Sequence, residues 1–233
     1  MPTAPVLSQI RLGGRTVFLL NFAGETAGAL ETHACDILSC DELTLWRSYP
    51  LARKRHEWLA GRMVAKVALQ ADRLERGLEP LPLRSLPVLP DDRRSGPVRS
   101  PLDGCLTISH SGAMAAATLS DTPIGIDIER LRTFTPAVVQ QFVSPAESRR
   151  LGHCPADDPR LTLLWSAKEA VLKARRARNL TEIRQIEWRG WNGSGAIEMR
   201  DRGLLVPAVF AAFWRGHAIA VASARRLPEA RTA

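Results

Sequence analysis

The spacing of apolar and polar residues changes several times along the chain, and each change marks an element. Arg15 to Asn21 is a short apolar run with β-branched and aromatic members and predicts a strand. Ser39 to Tyr49 predicts a helix that opens on a capping box, with Ser39 at the N-cap and Glu42 three residues on. Arg53 to Leu69 keeps helical spacing and predicts a long helix. The Pro-, Arg- and Asp-rich stretch "EPLPLRSLPVLPDDRRSGPVRSPLDG" predicts a surface loop. Next come two strand-like runs, "CLTISHSG" and "AMAAATLS". A turn signal, "SDTP", then leads into "IGIDIE", which reads as the partner strand of a hairpin. Phe142 to Leu151 predicts a short helix and Leu161 to Arg176 a second long one. The remainder ("IEWRGW", "GAIEMR", "AVFAAFW", "HAIAVAS") alternates or runs apolar, as an antiparallel meander does.

Two motifs recur in the same order in the two halves. "LSCDEL" is echoed by "VSPAES", pairing Ser39 with Ser144 and Glu42 with Glu147. "WLAGRMVAK" is echoed by "WSAKEAVLK", pairing Arg62 with Glu169 and Lys66 with Lys173. Each half closes in Ala-rich strands. Duplication is the better explanation. The expected fold class is α+β: two similar α/β halves related by a pseudo-twofold, each with a small antiparallel sheet and a long helix, with a ligand cleft between them. The expected division is 1–121 and 122–233.

In a strand, Asp127 and Glu129 share one face and Ile126 and Ile128 the other. Two carboxylates that close raise each other's pKa unless a cation lies between them. On the helix from Leu161, Lys168 falls inside the apolar stripe, where an unpaired lysine is costly, so it needs an anionic partner. Glu169 and Lys173 lie at the stripe's edge, one turn apart. Together with Asp127 and Glu129 they make a hard-cation site with phosphate binders beside it, which suits Mg²⁺. Arg53, Lys54, Arg55, Arg62 and Lys66 put cations on or before the other long helix, and the echo sets Arg62 and Lys66 opposite the acids. A carboxylate wall facing a basic wall is a receptor for a ligand with several phosphates. Ser109 and His110, at the end of a strand, are candidates for a phosphate contact.

Composition adds little to this. With 233 residues, 45% hydrophobic and 24% charged, the chain is ordinary for a globular protein. Its net charge of +8 points to an anionic partner. No run approaches the length of a membrane span or a secretory h-region, and the four cysteines form no CxxC pair. A cytoplasmic protein with reduced thiols, no membrane association and no zinc site is expected.

"GIDIE", "WSAKEAVLK" and "ISHSG", in this order and spacing, resemble the signature of 4′-phosphopantetheinyl transferases of the surfactin-synthetase-activating type, W/KEA-like subgroup. "RKRHEWLAGR" resembles that family's N-terminal basic helix, so the resemblance runs from about Leu38 to Lys173. It implies transfer of 4′-phosphopantetheine from coenzyme A to a serine of an apo carrier protein (acyl, peptidyl or aryl), with release of 3′,5′-ADP. It implies Mg²⁺, replaceable by Mn²⁺, held by Asp127, Glu129 and Glu169. Lys173, with Lys168, would contact phosphate. Arg53, Arg62, Lys66, Ser109 and His110 would hold the nucleotide end, and Glu147 would be the general base, a base acting through water being the alternative. A monomer is expected, since the chain is already a pseudo-dimer. The family's "GKP" ahead of the SHS strand is missing; the segment reads "RRSGPVRSP". The rival readings are a metal-dependent nuclease, opposed by the helical spacing of Glu169 and Lys173, and a nucleic-acid-binding module, opposed by the lack of interleaved aromatics.

Overall fold

The computed structural model describes residues 6–92, 95–99, 104–176, 180–192 and 195–223. The first half contains β1 (Val6–Leu12), β2 (Arg15–Asn21), α1 (Glu25–Thr32), α2 (Ala34–Ile37), α3 (Cys40–Arg47), α4 (Ala52–Glu75), β3 (Leu89–Asp92), β4 (Ser95–Arg99), β5 (Cys105–Ser111) and β6 (Met114–Ser120). The second contains β7 (Ile124–Arg130), α5 (Pro136–Phe142), α6 (Pro145–Leu151), α7 (Pro159–Ala174), β8 (Ile186–Trp191), β9 (Ile197–Asp201), β10 (Leu204–Leu205), β11 (Ala208–Trp214) and β12 (His217–Ser223).

Alternate residues of single strands feed different cores. Phe18 and Leu20 of β2, with Ala115 and Ala117 of β6, pack against α4. Val17, Leu19, Met114 and Ala116, on the opposite face, pack against Ile126 and Ile128 of β7 and Ile219 and Val221 of β12. Ala218, Ala220 and Ala222 of β12 then face α7. The result is a helix–sheet–sheet–helix stack with the order α4, β1-β2-β6-β5, β11-β12-β7, α7. A third sheet, β10-β9-β8, and a β3-β4 hairpin complete the α+β fold.

Both halves run in the same order: a strand, a capped helix, a long helix and a hairpin. The sheets match as well, β2-β6-β5 against β7-β12-β11. Ser39 caps α3 and Ser144 caps α6, each with a capping box closed by Glu42 or Glu147.

Some expectations need correction. "IGIDIE" is not the hairpin partner of "AMAAATLS". Both edges of β6 are taken, by β2 and β5, and β7 pairs with β12 in the other sheet. The isoleucine face of β7 packs onto the first sheet instead. The helix expected over Phe142 to Leu151 is two helices, broken where Ser144 caps α6 and Pro145 starts it. The Pro-rich loop carries a 3₁₀ turn (Leu83–Ser85) and the β3-β4 hairpin. Residues 93–94 and 100–103 of "RRSGPVRSP" and its flanks lie outside the described residues.

Gly125 sets the distance between β7 and α7. A Cβ there would lie 2.0 Å from the Ala170 carbonyl oxygen and 2.4 Å from the Ala174 nitrogen. Only glycine lets the helix press this closely on the strand. Asp127, two residues on, is thereby brought against α7.

Candidate active site

Three elements meet at the acid cluster: β7, α7 and the edge of β5. The strand's period of two turns Asp127 and Glu129 away from the isoleucine core. The hydroxyls of Thr107, Ser109 and Ser111, on one face of β5, meet β7 there. Ser109 Oγ donates to Asp127 Oδ1 at 2.9 Å, and Ser111 Oγ donates to Glu129 Oε2 at 2.8 Å. Thr107 Oγ1 accepts the Ile126 N–H at 3.3 Å, and Ser111 Oγ accepts the Arg130 N–H at 3.1 Å. From α7, Lys173 Nζ donates to Asp127 Oδ1 at 2.8 Å and to Ser109 Oγ at 2.9 Å.

The electrostatics are those of a site short of positive charge. Asp127 Oδ2 and Glu169 Oε1 are buried with no hydrogen-bond partner among the described residues. Burial, reinforced by the Asp127 charge and opposed by Lys173, pushes the Glu169 carboxyl up to about 7. Burial and Asp127 also raise Glu129, against the Ser111 hydrogen bond and the charges of Arg132 and Lys173. Three oxygen donors, two of them with unused buried atoms, fit a hard divalent cation. Among the described residues no three His, Cys, Asp or Glu side chains converge into a preformed cage. A cation held here would draw its remaining ligands from water or substrate.

A cleft of about 600 Å³ opens beside this cluster, lined by Arg53, His56 and Glu57 of α4, Gly112 and Ala113 of the β5–β6 turn, and Arg130 of β7. Gly112 follows Ser111, and Arg130 follows Glu129. His110 neighbours the same region. Crowding by protein lowers its pKa, with Glu57 pulling it up and Lys173 and Lys54 pushing it down.

Three expected site residues, Lys66, Lys168 and Glu147, lie elsewhere, in two enclosed networks built on the same plan. Lys66 is fully buried and donates to Ile37 O (2.7 Å), Glu42 Oε2 (2.5 Å) and Leu83 O (3.1 Å). Glu42 also accepts N–H groups from Ser39 (2.8 Å) and Val88 (2.9 Å). Lys168 is fully buried and donates to Phe142 O (2.5 Å) and to Glu147. Glu147 also accepts from Ser144 (2.7 Å) and Trp188 (2.6 Å). Lys66 therefore matches Lys168, not Lys173, and the tryptophan-based alignment of the two helices is out of register. An ammonium enclosed among protein acceptors has no donor to offer a phosphate, and Glu147, enclosed and accepting from two backbone N–H groups and Lys168, presents no oxygen to a serine hydroxyl. Burial lowers the pKa of both lysines despite their glutamates. Arg62 is buried too, with its guanidinium 4.2 Å from the Trp58 ring centroid, and burial brings it down to about 10. The sequence reading overlooked Glu57, although its spacing from Arg53 and Lys54 was visible.

The profile of the 4′-phosphopantetheinyl transferase superfamily matches residues 123–222, the half that holds all three acids. The enterobactin synthase component D of Escherichia coli K12 is 31% identical over 208 residues, covering 84% of this chain and 90% of that one. A 4′-phosphopantetheinyl transferase of Bacillus subtilis is 37% identical over 68 residues, covering 28% of this chain and 30% of that one. A Bacillus pumilus enzyme of the same name matches at the same identity, over 29% of its own length. The chain belongs to the 4′-phosphopantetheinyl transferase superfamily. It is an enzyme, a transferase of the phosphopantetheinyl group. Among the described residues no helix is long and apolar enough to cross a membrane.

Proposed function

We propose that the chain transfers 4′-phosphopantetheine from coenzyme A to a serine of an apo carrier protein, in the cleft between two halves related by a pseudo-twofold and divided near residue 121. The observation that carries this reading is the acid cluster: Asp127 Oδ2 and Glu169 Oε1, buried and unpartnered, beside Lys173 and a basic cleft. Asp127, Glu129 and Glu169 would hold Mg²⁺. That ion, when bound, neutralises charge on the pyrophosphate. Ser109 and Ser111 orient the carboxylates by donating to Asp127 and Glu129. Lys173, one third exposed, is free to turn from Asp127 toward phosphate, where its ammonium offsets charge developing on the leaving group. Arg53, Arg130 and His110 flank the 3′-phosphate and nucleotide end.

The carrier serine Oγ attacks the β-phosphorus of coenzyme A, the bond to the bridging oxygen breaks, and 3′,5′-ADP leaves. A water at the acid cluster takes the serine proton. Glu147 is not used, because it is enclosed with Lys168. Carrier proteins are acidic, and the net charge of +8 favours their approach. The protein acts as a cytoplasmic monomer.

The test is incubation with apo carrier protein, coenzyme A and Mg²⁺, with the carrier weighed by mass spectrometry. The expected result is a gain of one phosphopantetheine, lost in Asp127→Ala and Glu169→Ala that keep wild-type circular dichroism. Full activity in both variants would refute the metal assignment.

A further inference from the structure

The wall of a cleft for a polyanion contains a carboxylate, which by charge alone should repel the ligand. The Glu57 side chain is 5% exposed, while its two partners, Arg53 and Lys54, are 82% and 54% exposed. Each partner takes a different oxygen. Arg53 Nε donates to Oε1 at 2.8 Å, and Lys54 Nζ donates to Oε2 at 2.8 Å. Neither oxygen is left to face the ligand alone.

The position of the cations is also unfavourable for the helix. Arg53 and Lys54 lie in the first turn of α4, which has no acidic residue and no side-chain cap. Positive charge at a helix N-terminus opposes the macrodipole. A cation placed N-terminal to its glutamate is the weaker orientation of a helical pair. Helix stability explains neither the two cations nor the buried acid between them, whereas ligand binding explains both. Long exposed Arg and Lys side chains lose rotamer freedom when they grip a ligand. A buried carboxylate one turn on restrains them beforehand.

We infer that Glu57 is a positioning residue for the 3′-phosphate end of coenzyme A, fixing Arg53, which lines the cleft, and Lys54 next to it in the chain. This rests on the reading of the cleft given above. Glu57→Gln keeps the shape of the side chain and removes its charge. KM and kcat are measured with coenzyme A and with 3′-dephospho-coenzyme A, at saturating carrier protein and fixed salt. In Glu57→Gln, KM for coenzyme A rises about tenfold with kcat unchanged, the effect of loosening one charge-assisted contact. KM for the dephospho compound stays at the wild-type value, and Glu57→Asp recovers part of the loss. In an Arg53→Ala/Lys54→Ala background, Glu57→Gln adds nothing further.

Equal losses for both substrates, a fall in kcat alone, or a further effect in the double-alanine background would each overturn the inference while leaving the cleft reading intact. A wild-type enzyme that does not prefer coenzyme A to its dephospho form would overturn the cleft reading itself, and this inference with it.

Discussion

Replacing Glu147 with glutamine keeps the side chain's shape and removes its charge. The native carboxylate accepts from Ser144, Trp188 and Lys168, all inside the protein. One oxygen becomes an NH₂ group in the variant and faces a backbone N–H, donor against donor. Lys168, fully buried, keeps the Phe142 carbonyl and the one remaining side-chain oxygen but loses its counter-charge. Breaking a buried ion pair on one side costs about 3–5 kcal/mol. That is a large share of the roughly 5–15 kcal/mol by which a domain is stable. Replacing both partners with apolar residues of similar size, Glu147→Leu with Lys168→Met, removes the stranded charge and recovers most of the loss. Urea denaturation followed by tryptophan fluorescence measures this, with Trp165 and Trp188 as reporters near the pair. Transfer is assayed at low temperature on the folded fraction, where kcat of Glu147→Gln stays within a few-fold of wild type. A variant as stable as wild type whose transfer falls more than about a hundredfold, the loss typical of a removed acid–base group, would show that Glu147 handles the proton.

Glu42→Gln should lose about the same stability as Glu147→Gln, because each carboxylate pairs with a buried lysine and two backbone N–H groups, and the same urea titration compares them. Gly125→Ala puts a methyl group against the Ala170 carbonyl and the Ala174 nitrogen, so it should lower stability by at least the about 1–3 kcal/mol of overpacking. Gly61→Ala meets only Ile108 Cγ2, at 3.2 Å, and should be tolerated far better in the same melts. The Glu169 carboxyl, at about 7 when folded against an ordinary 4.5, binds its proton more tightly in the folded protein. Its contribution is therefore neutral below the lower value and turns destabilising as pH rises through the window between the two. The thermal midpoint of metal-free wild type should fall relative to Glu169→Gln across that window, and a constant difference would contradict the assignment.

The strand period alone separated Ile126 and Ile128 from Asp127 and Glu129, and the structure keeps that division. Helical spacing also showed that Lys168 needs an anion. Its partner could not be read, although it was in view as the capping glutamate of α6. Capping is a local pattern that assigns the carboxylate to the backbone, and nothing in local spacing says the same group also reaches a lysine on another helix. The tryptophan echo misled for a related reason. Two amphipathic helices align by composition in several registers, and only the bonds of Lys66 and Lys168 choose among them. Ser109 looked like a phosphate ligand because a hydroxyl suits either role, and only the packing of β5 beside β7 turns it toward a carboxylate. Glu57 was hidden by the commonest explanation of an i,i+4 ion pair, a solvated helix face, which burial excludes here.

The three hydroxyls of β5 also gauge alignment between the two sheets. Thr107, Ser109 and Ser111 repeat every second residue, and each has its own mate on β7. Sliding β7 by one pair would shift every match together: one way Ser111 is left facing Leu131, and the other way Glu129 loses its hydroxyl and Ser109 faces Gly125. The isoleucines on the far side would scarcely register such a slip, because one branched apolar residue replaces another. The polar mates therefore hold the alignment together with Gly125, whose place against the Ala170 carbonyl no neighbouring residue of β7 could take. Variants that trade these hydroxyls for methyl groups keep their fold and loosen the orientation of Asp127 and Glu129 on which the acid cluster depends.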